Sequence, residues 1–139
     1  MSVLSRNLSP IATWFRYCLL ITAVFNLFGA LSFAPPIYYS TAEALGLPIN
    51  VAPFSLWVIA SWIFIFGVGY AWLFFNPKRE PLFIAVAAAC KIAIAFFFFI
   101  FWALGDLPLV SVLVGCADLL FGLIFILWLL QTRQPGASN

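Results

Sequence analysis

Four apolar runs divide the chain and leave it few ways to fold. They cover residues 11–33, 53–75, 82–104 and 107–130. A helix of about 20 residues crosses the roughly 30 Å hydrocarbon core of a bilayer, so each run is long enough to span. In that medium the backbone must satisfy its own hydrogen bonds, which a helix does within one segment. Short links between four such helices give an up-down-up-down arrangement. The expected fold is therefore all-α, an integral membrane four-helix bundle, with one domain over residues 1–139. Composition agrees: 66% of residues are hydrophobic, 7% are charged, and the mean hydropathy is +1.17. A soluble domain carries about a quarter charged residues.

Several function classes are disfavoured at once. The net charge is only +2, and no basic run with interleaved aromatics points to nucleic acid. The chain has no histidine, which removes His-based metal, haem and proton-relay sites. Cys18, Cys90 and Cys116 all fall inside apolar runs, and none forms a CxxC pair. They are expected to be small buried apolar residues, since free cysteine packs that way. No metal site and no cofactor are expected.

The charges that do enter the apolar runs are more informative. Lys91 lies near the middle of the third run and Asp118 near the middle of the fourth, and the midpoint between them falls on Gly105–Asp106. Folding the two runs back at that turn brings the ammonium and the carboxylate to similar depth, about 14 Å and about 16 Å from the starts of their helices at 1.5 Å per residue. A lone charge at that depth costs about 2.5–3.5 kcal/mol on the insertion scale. Pairing across the helix contact reduces the cost.

Small residues flank both charges. Ala87, Ala88 and Ala95 share the face of Lys91, and Ser111, Gly115, Asp118 and Gly122 form one stripe at spacings of 4, 3 and 4. Thr22, Ala23, Asn26, Gly29 and Ala30 form a similar stripe in the first run. Small residues let membrane helices approach closely, so these faces should point into the bundle. Asn26 and Ser61 fall at matching depth and form a second expected couple. Tyr70 brings a hydroxyl to the inner side. The candidate site is Lys91, Asp118, Asn26, Ser61 and Tyr70.

The segments between runs also carry signals. Pro35-Pro36 stops the first helix, because proline lacks the N–H. Residues 34–52 read as an outer loop. Within it Ser40-Thr41-Ala42-Glu43 fits a capping box, opening a helix of one or two turns that ends at Leu45 before Gly46. Tyr38 and Tyr39 suit the headgroup level. Arg16 lies within the first turns of its helix and snorkels toward the near interface. Residues 131–139 read as a polar tail. The first ten residues could pass for the start of a signal peptide, but the following run is too long for its apolar region, and a retained anchor is expected.

Arg6, Arg16, Lys78, Arg79 and Arg133 fall at the two termini or in the second link, whereas the first and third links carry Glu43 and Asp106 and no Lys or Arg. The positive-inside rule then places both termini in the cytoplasm.

The layout resembles the small bacterial four-helix membrane proteins of the DoxX-like type. The likeness is carried by residues 26–36 (NLFGALSFAPP), by Gly67-Val68-Gly69-Tyr70 ahead of Asn76-Pro77-Lys78-Arg79, and by Lys91. Gly105-Asp106-Leu107-Pro108 and Asp118-Leu119-Leu120-Phe121 complete it. It implies a multi-pass protein of a bacterial inner membrane. Some proteins of that type are implicated as subunits of quinone-linked oxidoreductases. These are patterns of packing and turns, and they assign no residue a catalytic role.

Three functions follow in order. The first is a membrane accessory or structural subunit, packing with itself or with a partner complex; small-residue faces and the lack of a catalytic constellation favour it. The second is a binder or carrier of a small lipophilic molecule, quinone-, sterol- or isoprenoid-like, with its polar end at Lys91, Asp118, Asn26 and Tyr70. The third is a proton or ion pathway, for which one acid and one base make a poor relay. Nothing in the sequence marks an enzyme.

Overall fold

The computed structural model describes residues 11–133. It contains five helices: α1 (Thr13–Phe33), α2 (Pro35–Leu45), α3 (Pro53–Phe75), α4 (Pro81–Ala103) and α5 (Leu109–Arg133). Four of these, α1, α3, α4 and α5, are long and apolar enough to cross a membrane. At 1.5 Å per residue they measure about 32–38 Å, slightly more than the hydrocarbon core. The protein is all-α among its described residues. The tail expected from Gln131 begins later, because α5 continues to Arg133; the rest of that tail and the first ten residues, with Arg6, lie outside the described residues.

The four long helices form two antiparallel pairs, α1 with α3 and α4 with α5. Small residues set both contacts. A Cβ placed on Gly67 of α3 would lie 3.1 Å from Cβ of Asn26 and 3.6 Å from the Ala23 carbonyl oxygen of α1. One on Gly122 of α5 would lie 2.9 Å from Cγ1 of Ile92 and 3.4 Å from the Ala88 carbonyl oxygen of α4. Each glycine therefore lets a neighbouring backbone come close enough for dispersion contacts to accumulate, which is how helices associate in lipid. The stripes read from the sequence are buried except at Gly29, which is half-buried: Thr22, Ala23, Asn26 and Ala30 in α1; Ala87, Ala88, Lys91 and Ala95 in α4; Ser111, Gly115, Asp118 and Gly122 in α5.

Between the pairs the packing is aromatic. Phe15 of α1 stacks on Trp128 of α5 with ring centroids 4.7 Å apart, and meets Phe125 edge-on at 5.7 Å. Tyr70 of α3 touches Phe83 of α4 and Phe125 of α5. Rings bury large areas and hold defined relative orientations, so the two pairs are joined at one end by a fixed aromatic block. Arg16 does more there than reach toward an interface. It donates from Nε and Nη2 to the Phe74 carbonyl at 3.2 and 2.8 Å and lies over the Phe74 ring. A cation at a helix C-terminus answers the unpaired carbonyls and the negative end of the helix dipole.

The segment expected as an outer loop holds a helix of three turns. Ala34 is extended, and Pro35 and Pro36 then occupy the first two positions of α2, where a missing N–H costs nothing. The capping box is not formed: Ser40 lies inside the helix and returns its hydroxyl to the Ile37 carbonyl at 2.8 Å. The two prolines that end α1 also start α2, which is the reason. At the other end Gly46 takes φ +70, with Leu47 N–H bonded to Ala42 O and Gly46 N–H to Glu43 O. This is a Schellman stop, a conformation glycine adopts without strain. The Tyr38 hydroxyl donates to the Pro48 carbonyl at 2.7 Å and that of Tyr39 to the Val51 carbonyl, so both tyrosines tie down the return to α3. Tyr38, Ala42 and Leu56 form a small second core, and Gly46 lies against Pro108 at the α4–α5 turn.

One smaller expectation, that the cysteines are buried, also changes. Cys90 and Cys116 are exposed on the apolar surface, and Cys18 is only half-buried. On a helix that faces lipid on one side, an apolar residue satisfies either side, so composition did not settle the direction.

Candidate functional site

All four long helices supply a group to one polar cluster in the bundle interior. Lys91 of α4 donates from Nζ to Asp118 Oδ1 of α5 at 2.7 Å and to Asn26 Oδ1 of α1 at 3.2 Å. Asn26 in turn donates from Nδ2 to the Ile63 carbonyl of α3 at 3.1 Å. Lys91, Asn26 and Asp118 are 6%, 7% and 8% exposed, so the charges are shielded by protein rather than by water. Lys91 lies about 15 Å along α4 from Pro81 and Asp118 about 14 Å along α5 from Leu109. The pair therefore sits near mid-span.

Local geometry explains why Asn26 can reach. The amide must approach the α3 backbone beside Ile63, and Gly67, one turn further along, offers no Cβ to block it. The Asn26 amide then bridges the two helix pairs. Its oxygen accepts from one pair and its nitrogen donates to the other.

Rings close the cluster. The ammonium lies 5.7 Å from the centroid of Phe25, 5.7 Å from that of Tyr70 and 5.5 Å from that of Phe121. An ammonium carries three donors. Two go to Asp118 and Asn26, and the third is left to the ring faces, whose quadrupoles attract a cation.

The structure brings together four of the five candidate residues. Tyr70 contributes its ring to the ammonium, whereas its hydroxyl had been expected to matter. Ser61 does not join. Its hydroxyl donates to the Trp57 carbonyl of its own helix at 2.7 Å, and it lines a shallow outer groove of about 620 Å³ with Leu27, Trp57 and Phe64. Matching depth was correct for Ser61, but its direction on the helix turns it out of the bundle. Phe25 and Phe121 were missed. Phe121 follows Asp118 by three residues and so shares its face, a signal available in the sequence; Phe25 had none among so many apolar neighbours.

The cluster is close to neutral as a unit, with the ammonium and the carboxylate engaged with one another at 2.7 Å. Among the described residues no three His, Cys, Asp or Glu side chains gather as a metal site would require. A closed ion pair at the meeting of four membrane-type helices defines a class: a multi-pass helical membrane protein with an internal polar clamp. The chain matches no protein-family model, no curated protein and no solved structure.

Proposed function

We propose that this protein is a small accessory or structural subunit of a bacterial inner membrane, of the DoxX-like type, which packs with itself or with a larger membrane complex. The observation that carries the reading is the closed state of the cluster. The charges, the amide and three rings are spent on one another, and they hold two helix pairs in register. Buried ion pairs are poor stabilisers but can select one arrangement. Neither the outer groove at Ser61 nor the cleft at the α3–α4 turn includes Lys91, Asn26 or Asp118. What is left for function is the outer surface, where the large apolar side chains are exposed.

Arg16, Lys78, Arg79 and Arg133 share one end of the bundle, and Glu43 and Asp106 share the other. We place the first end, and both termini, in the cytoplasm.

Light scattering and native mass spectrometry of the purified protein test the proposal. A defined assembly, with a second copy or a membrane partner in fixed stoichiometry, supports it, provided the Lys91→Met/Asp118→Leu variant still assembles. A monomer carrying one lipophilic small molecule, lost in that variant, overturns it. That outcome would favour a second reading, a binder or carrier of a quinone-, sterol- or isoprenoid-like molecule. The third ammonium donor favours it, since a ligand carbonyl could take the place of a ring face.

A further inference from the structure

A second place where polar and apolar chemistry meet lies at the turn between α3 and α4, separated from the clamp by the Phe83 and Tyr70 rings. A cleft of about 630 Å³ opens there between the two helices, within the size range of small-molecule sites. Its walls toward mid-span are apolar, formed by Ile65, Val68, Leu73 and Phe83, with the Phe83 ring packed on Gly69. Its mouth is lined by Lys78 and Glu80. The gradient runs along the helices from headgroup level toward the middle of the span.

The mouth is the informative part. Lys78 and Glu80 carry opposite charges two residues apart and both line the cleft, yet the one ion pair among the described residues is Lys91–Asp118. Arg79, between them, does not line the cleft. One cation and one anion therefore line the same space, both exposed and without a direct ion pair between them. Glu80 precedes Pro81, the first residue of α4, and makes no side-chain capping bond. Pro81 brings no N–H, so the free donors at the start of α4 are those of Leu82 and Phe83, and they favour an anion there.

We propose that this cleft binds one phospholipid whose headgroup carries both a phosphate and a primary amine. The phosphate sits at Lys78 and the start of α4, the amine at Glu80, and an acyl chain lies against Val68 and Phe83. A headgroup with the phosphate alone would leave Glu80 facing an anion. A quaternary amine would bring charge without N–H donors for the carboxylate. A free phosphate would leave the apolar depth unused. The site depends neither on the clamp nor on the accessory role.

Native mass spectrometry of the full-length protein tests this, after release from nanodiscs of equal parts phosphatidylethanolamine, phosphatidylglycerol and phosphatidylcholine. One ethanolamine lipid should be retained over each of the others by roughly threefold or more, the scale of one exposed ion pair. Glu80→Gln should abolish that preference, and Lys78→Gln should lower retention of all three lipids. Val68→Trp, at an exposed position, should lower all three by filling the groove. Equal retention by the wild-type protein, or a preference for the glycerol lipid, would overturn the proposal. So would a preference unchanged in Glu80→Gln, or displacement by glycerophosphoethanolamine, which has the headgroup and no chains.

Discussion

Replacing Lys91 with Met and Asp118 with Leu, singly and together, asks how the clamp works. Lys91→Met leaves the carboxylate at mid-span without its 2.7 Å partner. Breaking one side of a buried pair typically costs about 3–5 kcal/mol, and a lone charge at a helix centre about 2.5–3.5 kcal/mol. Each single variant should therefore lose about 3–4 kcal/mol. In the double variant both charges are gone, and an apolar replacement of a buried pair is often neutral or better. It does not recover fully, because the Asn26 oxygen loses the donor it holds at 3.2 Å, and an unsatisfied buried polar group costs about 1–3 kcal/mol. The double should end about 1–2 kcal/mol below wild type, above either single. Reversible unfolding in mixed micelles, followed by the fluorescence of the six tryptophans, measures all four states. Additive losses, with the double about 6–8 kcal/mol below wild type, would refute the coupling.

Other outcomes follow from the same geometry. Gly122→Ala should lose about 1–3 kcal/mol, because its Cβ would meet Ile92 at 2.9 Å, whereas Gly29→Ala, with 3.5 Å to its nearest neighbour, should be near neutral in the same assay. Arg16→Ala removes two bonds to the Phe74 carbonyl; a loss of about 1.5–3 kcal/mol is expected, with faster hydrogen exchange at the end of α3. Cys90 and Cys116 are exposed on membrane-spanning helices; because thiolate attack needs water at the sulfur, maleimides should label neither in intact membranes and both after unfolding in detergent, and labelling of either in the membrane would refute its lipid-facing position. Fusions at the C-terminus should give fluorescent GFP and inactive alkaline phosphatase; the reverse would invert the proposed orientation.

The parts of this molecule that were legible in its sequence are those the bilayer dictates. Span length, the small-residue faces and the Lys91–Asp118 pairing all follow from what an apolar solvent forbids. The third link was also legible, because the midpoint of the two charges coincides with its glycine. What was not legible depended on direction around a helix or on a residue with two uses. Pro35-Pro36 stops one helix and starts another, and the sequence shows only the stop. Ser61 has the right depth and the wrong azimuth. Phe25 is one among 17 phenylalanines, and only packing shows that it faces the ammonium, whereas Phe121 shares the face of Asp118 at a spacing of three.

The clamp draws on helices made at different times. A chain synthesised from its N-terminus presents Lys91 to the membrane before Asp118 exists, while Asn26 is already in place. An amide that binds the ammonium without needing its charge is a suitable first partner. The carboxylate arrives with the last helix, so the cluster closes only when α5 has been delivered, and a product truncated before it holds a cation answered by the amide alone.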